Sequence, residues 1–522
     1  MTDTETRSIS GRIWRGTAWT SGANILARIG TFLGNLAIIR LLGLDLTGQL
    51  GLIESWVGLI TMFAVFGLNL AATKYVSQYL ETDRERIGVI TGTVLFWGGA
   101  LAIGVCAAGY LLLLNLPSPG LAPDTIWSTV QITLGGYFWL VLALVMMTSL
   151  RQLVAGIVYG LHAFRVFVWI NLAVGLVSFP LSYGLTARYA LAGALGSRLS
   201  IGVFELILLA IALQGSLRRL AIRISIKNGF FHHTRQLFNF SLPTLLGQLV
   251  VNPVQTFMFS FLATQPNGLA QVGLITTGQR LSSLTAFLPG AMATTVMPIL
   301  STEWGRGDRA SFQQGVLSAL RMLWLSSLPG VVFFLAATPT LLSLLYGPEF
   351  VVATTVTATL LVMQLLIAIN ETGDRILAAA GRMWLSTANN LIWLVLFLGF
   401  ALILIPQAQA TGYVLAYLLS FTIYICVQLG WLRQLFQLPL RPLVPLVLGT
   451  TLLIVLAYLI MSFIPPPWQL LGAVLLAGGT LMVLWRFFLL EIERQAIGRY
   501  LNQINAVSSI WVRWRSGRQS SR

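Results

Sequence analysis

The sequence predicts an all-α polytopic membrane protein with about fourteen transmembrane helices. The chain is 56% hydrophobic and only 9% charged, whereas soluble proteins carry about 25% charged residues. The apolar segments reach the roughly 20 residues that a spanning helix needs. No connection between them is long enough for a folded domain. Helices are then the expected spanning elements, because they satisfy their own backbone hydrogen bonds in hydrocarbon.

The predicted spans follow one another closely and are separated by loops with turn residues, such as Gln265–Gly268 and Pro465–Pro467. In order, they run approximately 15–42, 49–72, 87–114, 127–150, 166–186, 190–213, 239–263, 269–299, 313–344, 351–379, 384–405, 409–431, 443–464 and 467–490.

The first predicted span carries one polar stripe along an otherwise apolar helix. Its members recur at steps of three and four residues: Thr17, Ser21, Asn24, Arg28, Thr31 and Asn35. An arginine that faced lipid would cost ~2.5–3.5 kcal/mol, so Arg28 should face protein or water. The stripe therefore indicates a helix that lines a cavity.

An internal repeat relates two halves of the chain. GQLGLIESW at Gly48–Trp56 resembles AQVGLITTG at Ala270–Gly278, an offset of 222 residues. In the seventh span, Gln248, Asn252 and Gln255 follow Asn24, Arg28 and Thr31 at an offset of 224. Six spans separate the copies, so both halves enter the membrane from the same side. Parallel repeats of this kind predict a ligand site between the halves.

The repeat divides the chain into five predicted regions. They are an N-lobe with spans 1–6 at 1–214, a basic cytoplasmic linker at 215–238, a C-lobe with spans 7–12 at 239–435, spans 13–14 at 436–490, and a basic cytoplasmic tail at 491–522.

Basic residues predict the orientation of the bundle. Most lysines and arginines, Arg151 among them, fall on the side of the N-terminus, and only Arg40 and Arg188 fall on the opposite side. By the positive-inside rule, both termini are expected in the cytoplasm. The N-terminus lacks the short apolar core of a signal peptide, so the first span is expected to be retained.

Charged side chains inside the predicted spans are candidates for function. Arg28 and Arg280 either face substrate or make structural pairs. Glu54 either pairs with Arg40 or couples transport to a proton or cation. Glu371 and Arg375 are four residues apart and are expected to form an intrahelical pair.

Arg198 and Glu205 lie seven residues apart in the sixth span, on one helix face. Two helical turns separate them by ~10 Å, so each needs a different partner.

Several functional classes are excluded. The net charge of +16 is dispersed among short loops and does not form the basic face of a nucleic-acid-binding domain. Cys106 and Cys426 lie inside apolar runs, so neither a disulfide framework nor a metal cluster is expected. A phosphate-binding glycine loop with its lysine is missing from the sequence, which argues against ATP-driven transport by this chain. We expect no cofactor and no metal.

The run LARIGTFLGNLAIIRLLGLDLTGQLGL, followed by FGLNLAATKYVSQY, resembles the opening of the polysaccharide transporters of the multidrug/oligosaccharidyl-lipid/polysaccharide exporter superfamily. The motif positions are the Arg40–Gly43 turn and Gly48. GQRLSSLTAFLPGAMATTVMPILS resembles the family's arginine-bearing helix that ends in proline, here Arg280 and Pro298. The similarity covers nearly the whole chain.

The resemblance implies a flippase of the bacterial inner membrane that moves undecaprenyl-pyrophosphate-linked oligosaccharide by alternating access. The substrate would be an O-antigen or exopolysaccharide repeat unit, and the expected partners are this glycan, membrane lipids and the polysaccharide polymerase and chain-length machinery. Arg28 and Arg280 match cavity arginines of lipid II flippases and would bind the pyrophosphate, with Arg198 as a third ligand.

The polar stripe, the repeat and the charges inside the spans supply the remaining candidate site residues for this function. Neutral polar contacts would come from Asn24, Thr31, Gln248, Asn252 and Gln255. Driving energy would come from proton or cation coupling through Glu54 or Glu205, or from removal of the product outside. Lipid II flippases carry a further arginine followed by aspartate where this chain has Gly34 and Asn35, which argues against lipid II as the substrate.

Four alternatives stay open, and one of them is an inactive relative that acts as a membrane scaffold. A multidrug or metabolite exporter of the same superfamily would have twelve spans and a cavity suited to organic cations. A lipid II flippase is the second alternative. A membrane polysaccharide polymerase or ligase would be an enzyme with charged outer loops, and the short outer loops here argue for a transporter, not an enzyme.

Overall fold

The computed structural model describes most of the chain: residues 3–80, 83–115, 135–225, 230–286, 300, 304–305, 307, 309–439 and 441–484. The α-helices are α1 Asp3–Val65, α2 Leu68–Tyr79, α3 Arg84–Asn115, α4 Phe138–Gly160, α5 Phe164–Arg219, α6 Phe230–Ala263, α7 Gly268–Ser282, α8 Arg309–Ala336, α9 Thr338–Leu341, α10 Thr354–Ala379, α11 Met383–Phe436, α12 Val444–Phe463 and α13 Pro466–Val483. Short 3₁₀ segments at Ser283–Ala286, Pro348–Ala353 and Arg441–Leu443, and a π segment at Leu342–Tyr346, complete the assignment.

Within these ranges, nine helices have the length and apolar composition needed to cross a membrane. Three of their apolar stretches are 39, 54 and 53 residues long, which is enough for two passes each. The predicted class, an all-helical multi-pass membrane protein, is confirmed. The count of about fourteen spans stays a prediction.

The three longest helices, α1, α5 and α11, each reverse direction at one residue with positive φ. These residues are Gly43 (φ 71°), Ala190 (φ 46°) and Gln409 (φ 48°). A Cβ added to Gly193 would overlap the carbonyl oxygen of Leu185, eight residues earlier, although a straight helix would hold residues eight apart about 12 Å from each other. The segments on either side of Ala190 are therefore antiparallel neighbours.

The second half of the chain repeats this reversal. Gly412 follows Gln409 by three residues, and its Cβ would overlap the carbonyl oxygen of Leu404 in the same way. The offset between Gly193 and Gly412 is 219 residues, close to the offset of 222 in the sequence repeat.

Interhelical contacts also correspond between the halves. Arg151 Nη1 on α4 donates to Glu205 Oε1 on α5 at 3.0 Å. Gln428 Nε2 on α11 donates to Asp374 Oδ1 on α10 at 3.1 Å, 223 residues later at both positions. Arg151 was expected in a loop, but α4 extends to Gly160 and places it inside a helix.

Helices extend into the predicted linker at 215–238 from both sides. Helix α5 continues to Arg219 and α6 begins at Phe230, so part of that linker is helical. The predicted tail at 491–522 lies outside the described residues. The lobe boundaries stay predictions.

One end of α6 packs against the first half of the chain. Trp97 on α3 stacks on Phe230 with ring centroids 6.4 Å apart and meets the edge of Phe238 at 5.6 Å. Its Nε1 donates to Thr234 Oγ1 at 3.0 Å. Helix α6 then continues past Pro243, which lies within it. Because its later residues pack with α11 and α7, α6 contacts both halves.

The closest contact between the halves is a glycine seam between α1 and α7. A Cβ on Gly48 would overlap the carbonyl oxygen of Leu269, and one on Gly273 would overlap that of Leu44. Only glycine lets two backbones approach in this way. The seam lies next to the reversal at Gly43, and we call this end of the bundle the Gly43 end.

Helices α12 and α13 pack on the outside of the second half. Leu446, Ala457 and Ala473 are buried in one cluster with Leu328 and Val332 of α8. The last two helices therefore lie away from the glycine seam.

Candidate functional site

A cavity of about 290 Å³ lies between the two halves. The second part of α1 forms one wall, and α6, α7 and α11 form the other. Its lining residues are Gly51, Glu54, Ser55, Gly58, Leu59, Asn252, Gln255, Thr256, Phe259, Thr276, Gln279, Arg280 and Tyr413. The cavity is therefore built from both copies of the sequence repeat.

Glu54 is the centre of an ion network beside this cavity. Arg198 Nε donates to Glu54 Oε1 at 2.9 Å, and Arg280 Nη2 donates to Glu54 Oε2. Arg198 Nη2 also donates to Asn35 Oδ1. Two guanidinium groups thus share one carboxylate, and the network carries one excess positive charge.

The position of the network along α1 follows from helix geometry. Glu54 is eleven residues beyond the reversal at Gly43, which places it about 16 Å along the helix. It therefore lies inside the predicted second span, 49–72. The side chains of Glu54, Arg198 and Arg280 are 27%, 23% and 35% exposed. Charges inside a membrane span need each other or a hydrated cavity, and this site offers both.

Amide and hydroxyl groups cover the wall formed by α6. Gln255 Nε2 donates to Tyr417 Oη at 3.1 Å, which fixes its side chain against α11. Asn252 is one turn away and exposed, with its Nδ2 3.6 Å from Met62 Sδ. Thr256 Oγ1 donates to the carbonyl oxygen of Ser55 at 3.3 Å. This wall offers neutral donors and acceptors beside the charged one.

The halves close together on the Gly43 side of the cavity. The glycine seam leaves no gap between α1 and α7. Trp56 Nε1 on α1 donates to Ser260 Oγ on α6 at 3.0 Å. Arg40 Nη1 of the first half donates to the carbonyl oxygen of Leu345 in the second half at 3.5 Å. These contacts hold the halves together between the cavity and the Gly43 end.

Four predicted site residues, Glu54, Arg280, Asn252 and Gln255, lie together in the cavity wall. Arg198 joins them through Glu54. Arg28, Thr31, Gln248 and Glu205 are not among the lining residues in the described part of the chain. Their roles in substrate binding stay predictions.

Arg28 is exposed on α1, two turns from Asn35 and about 10 Å away along the axis. Thr31 Oγ1 donates to the carbonyl oxygen of Ala27 at 3.1 Å. Gln248 is half-buried one turn before Asn252. Asn24 lies on α1, and its side chain is outside the part of the structure that is described.

The acidic residues have partners that correct one prediction. Of the two alternatives for Glu54, the Arg40–Glu54 pair is wrong, because Arg198 and Arg280 occupy both oxygens of Glu54 and Arg40 Nη1 donates to the carbonyl oxygen of Leu345 at 3.5 Å. The expectation that Arg198 and Glu205 have separate partners is confirmed, since Glu205 binds Arg151. The Glu371–Arg375 pair is also confirmed at 3.6 Å.

Several residues of the site were not predicted from the sequence. Asn35 belonged to the polar stripe, so its polarity was a usable signal. Gln279 and Thr256 are neighbours of predicted residues. Tyr413 is 2% exposed within an apolar span, and only the packing of α11 against α6 shows that it lines the cavity.

Comparisons with known proteins agree with this architecture. The lipid II flippase MurJ in an inward closed conformation superposes with a TM-score of 0.66 at 15% identity, over 90% of this chain and 99% of that chain. An inward-facing multidrug resistance MATE family transporter of the MOP superfamily gives 0.64 at 16% identity, over 79% and 98%. Such low identities show the fold alone.

Sequence comparison identifies the family. The probable low-salt glycan biosynthesis flippase Agl15 of Haloferax volcanii is 23% identical over 415 residues, which is 77% of this chain and 79% of that protein. The family model described as polysaccharide biosynthesis protein matches residues 13–304. The superfamily resemblance seen in the sequence is thereby confirmed, and the chain belongs to the polysaccharide biosynthesis protein family.

Proposed function

We propose that this protein is a flippase for undecaprenyl-pyrophosphate-linked oligosaccharide. It moves an O-antigen or exopolysaccharide repeat unit from the cytoplasmic to the periplasmic leaflet of the bacterial inner membrane by alternating access. The family assignment, the name of the Haloferax relative and the transporter fold support this proposal.

The observation that carries the proposal is the position of Arg280. It lies in a cavity between two repeated halves, beside the amides of Asn252 and Gln255. A diphosphate is the part of the substrate least able to enter hydrocarbon. A guanidinium group matches phosphate oxygens in charge and geometry, while neutral amides suit sugar hydroxyls.

The size of the cavity is consistent with one part of the substrate. Small-molecule sites commonly measure about 300–1,000 Å³, so within this proposal the cavity of about 290 Å³ holds the diphosphate and its nearest sugar. The prenyl chain stays in lipid between the halves. Arg28, Thr31, Asn24 and Gln248 lie along the same helices and contact the substrate on its way in or out.

Of the two candidate coupling residues, Glu54 has the better support. It contacts both halves and lines the cavity. Glu205 binds Arg151 within the first half and is absent from the described cavity wall. The basic loops support cytoplasmic termini. The polymerase and chain-length machinery would then meet the product on the opposite side.

Deletion of the gene in its host tests the proposal. Complete lipid-linked repeat units should accumulate in the cytoplasmic leaflet, and the surface polymer should disappear. Wild-type protein should restore the polymer, Arg280→Ala should not, and Arg280→Lys should restore part of it because the positive charge remains. An unchanged glycan pool would contradict the proposal. Increased drug sensitivity in the deletion strain would instead favour an exporter.

Arg28→Ala tests the second predicted phosphate ligand in the same assay. Transport should fall strongly while the amount of inserted protein stays constant by immunoblotting. Normal polymer with this variant would remove Arg28 from the site and leave Arg280 in place.

A further inference from the structure

Arg280 has a partner already. Its Nη2 donates to Glu54 Oε2, and the second oxygen of Glu54 accepts from Arg198 Nε at 2.9 Å. An anion that enters the cavity therefore meets an arginine that is held by an internal carboxylate. Glu54 and a substrate phosphate therefore compete for the guanidinium group of Arg280.

The two ion pairs of Glu54 differ in what they connect. Glu54 on α1 and Arg198 on α5 belong to the first half, and Asn35 Oδ1 holds Arg198 from α1 as well. Arg280 on α7 belongs to the second half. The Glu54–Arg198 contact therefore stays within one half, and the Glu54–Arg280 contact ties the halves together.

The position of the Glu54–Arg280 contact links it to any separation of the halves at the Gly43 end. It lies directly below the glycine seam, where Gly51 on α1 packs against Thr276 on α7. Thr276 precedes Arg280 by one helical turn. Separation of the halves at the Gly43 end must therefore move α7 away from α1, and that movement stretches the Glu54–Arg280 contact.

Charge balance indicates which ligand can replace Glu54. The network holds two guanidinium groups and one carboxylate. A diphosphate diester carries two negative charges and offers several acceptor oxygens, so it binds Arg280 more strongly than one carboxylate does. Glu54 keeps a partner when it is displaced, because Arg198 and Asn35 hold that side of the network.

We propose that Glu54 is a displaceable latch, released from Arg280 when the substrate's diphosphate binds. This inference rests on the proposed function and adds its coupling step. The unloaded transporter is held closed at the Gly43 end by the Glu54–Arg280 contact. The substrate takes over Arg280, removes the tie between the halves and makes opening favourable.

The latch has a thermodynamic consequence. A ligand shifts a conformational equilibrium only through its different affinities for the two states. Here the diphosphate must displace Glu54 in the closed state, which lowers its affinity for that state. Replacing Glu54 with glutamine should therefore tighten diphosphate binding and loosen the closed state at the same time.

The test uses purified full-length protein in lipid nanodiscs, with farnesyl diphosphate as the probe. Titration should show binding by the wild-type protein and at least about fivefold tighter binding by Glu54→Gln. Glu54→Asp withdraws the carboxylate by one methylene and should shift affinity in the same direction by less. Glu371→Gln removes a carboxylate from an arginine pair elsewhere and is the matched control, with affinity unchanged.

Spin labels report the opening. Leu41→Cys and Leu344→Cys place exposed labels on the two halves at the Gly43 end, after Cys106 and Cys426 have been replaced by serine. In wild-type protein, farnesyl diphosphate should lengthen the distance between the labels. In Glu54→Gln, part of the population should show the longer distance without ligand.

The outcomes separate the two proposals. If wild-type protein binds the diphosphate but Glu54→Gln binds it no more tightly and shows the wild-type distances, the latch is wrong and the flippase proposal stands. If wild-type protein does not bind the diphosphate at all, both proposals are wrong. If Glu371→Gln changes affinity as much as Glu54→Gln does, the effect is general electrostatics and the latch is wrong.

Discussion

The reversal at Ala190 in the first half and the reversal at Gln409 in the second have nearly the same backbone angles: φ 46° and ψ −125° against φ 48° and ψ −123°. Three residues later, Gly193 and Gly412 each pack on a carbonyl eight residues back. Neither reversal has a glycine at the residue with positive φ. The two halves thus share an unusual conformation that does not depend on a shared residue.

The charged residues of the site, unlike the backbone conformation, differ between the two halves. At the offset of 222, Glu54 corresponds to Thr276 and Gly58 corresponds to Arg280. Each half supplies a charge where the other has a neutral residue. The backbone plan is repeated, while the ion network between the halves depends on their difference. The two halves therefore share a scaffold and divide the chemistry between them.

The largest effect is expected where the two copies touch. Gly48→Leu would force α1 and α7 apart, since a Cβ at this position already overlaps Leu269, and should destabilise the protein by roughly 3 kcal/mol or more. The thermal midpoint in detergent, followed by tryptophan fluorescence, measures it. Gly58→Ala is the control, because its added Cβ meets no atom within 4 Å. Equal midpoints for the two variants would show that the seam is not tight.

The interhelical contacts allow a test by exchange. Gln428→Glu puts a second carboxylate beside Asp374 in a fully buried position, and repulsion should destabilise the protein by about 2–3 kcal/mol. Glu205→Gln keeps a hydrogen-bond acceptor for Arg151, and both side chains of this contact are partly exposed. It should therefore destabilise the protein less than Gln428→Glu does. Thermal midpoints at neutral pH compare them. A larger loss for Glu205→Gln would reverse the ranking and contradict the assigned contacts.

The glycines after the reversals should respond alike. Gly193→Ala and Gly412→Ala each place a methyl group against a backbone carbonyl, so each should cost about 1–3 kcal/mol. Gly196→Ala and Gly399→Ala, whose added methyl groups meet open space, should be neutral or slightly stabilising. If only one half proved sensitive, the likeness of the two reversals would be confined to backbone angles.

The smallest expected effect is an increase in stability. Ala190 adopts a positive φ that costs most residues about 1–3 kcal/mol. Glycine adopts it readily, so Ala190→Gly should stabilise the protein by about 1 kcal/mol. Gln409→Gly should gain less, because it loses the hydrogen bond from Nε2 to Pro266. A lower thermal midpoint for Ala190→Gly would show that the reversal is not strained.

The sequence predicted the helical class, the repeat and four residues of the cavity wall, because hydropathy and helical period are local properties. It also indicated that Arg198 and Glu205 need separate partners. Which arginine pairs with Glu54 was not predictable, since sequence spacing alone does not show which helices pack against α1 beside Glu54. Choosing between them requires the packing of α1 against α5 and α7, and so does the presence of Tyr413 in the cavity.

The contact between Arg151 and Glu205 has a consequence for the order in which the helices enter the membrane during synthesis. The two residues are 54 positions apart in the chain. At about 5–20 residues per second, Glu205 is synthesised about 3–11 s after Arg151. During that interval α4 carries an unneutralised arginine that would cost ~2.5–3.5 kcal/mol in lipid. This cost favours a pathway in which α4 and the two passes of α5 enter the bilayer as one group.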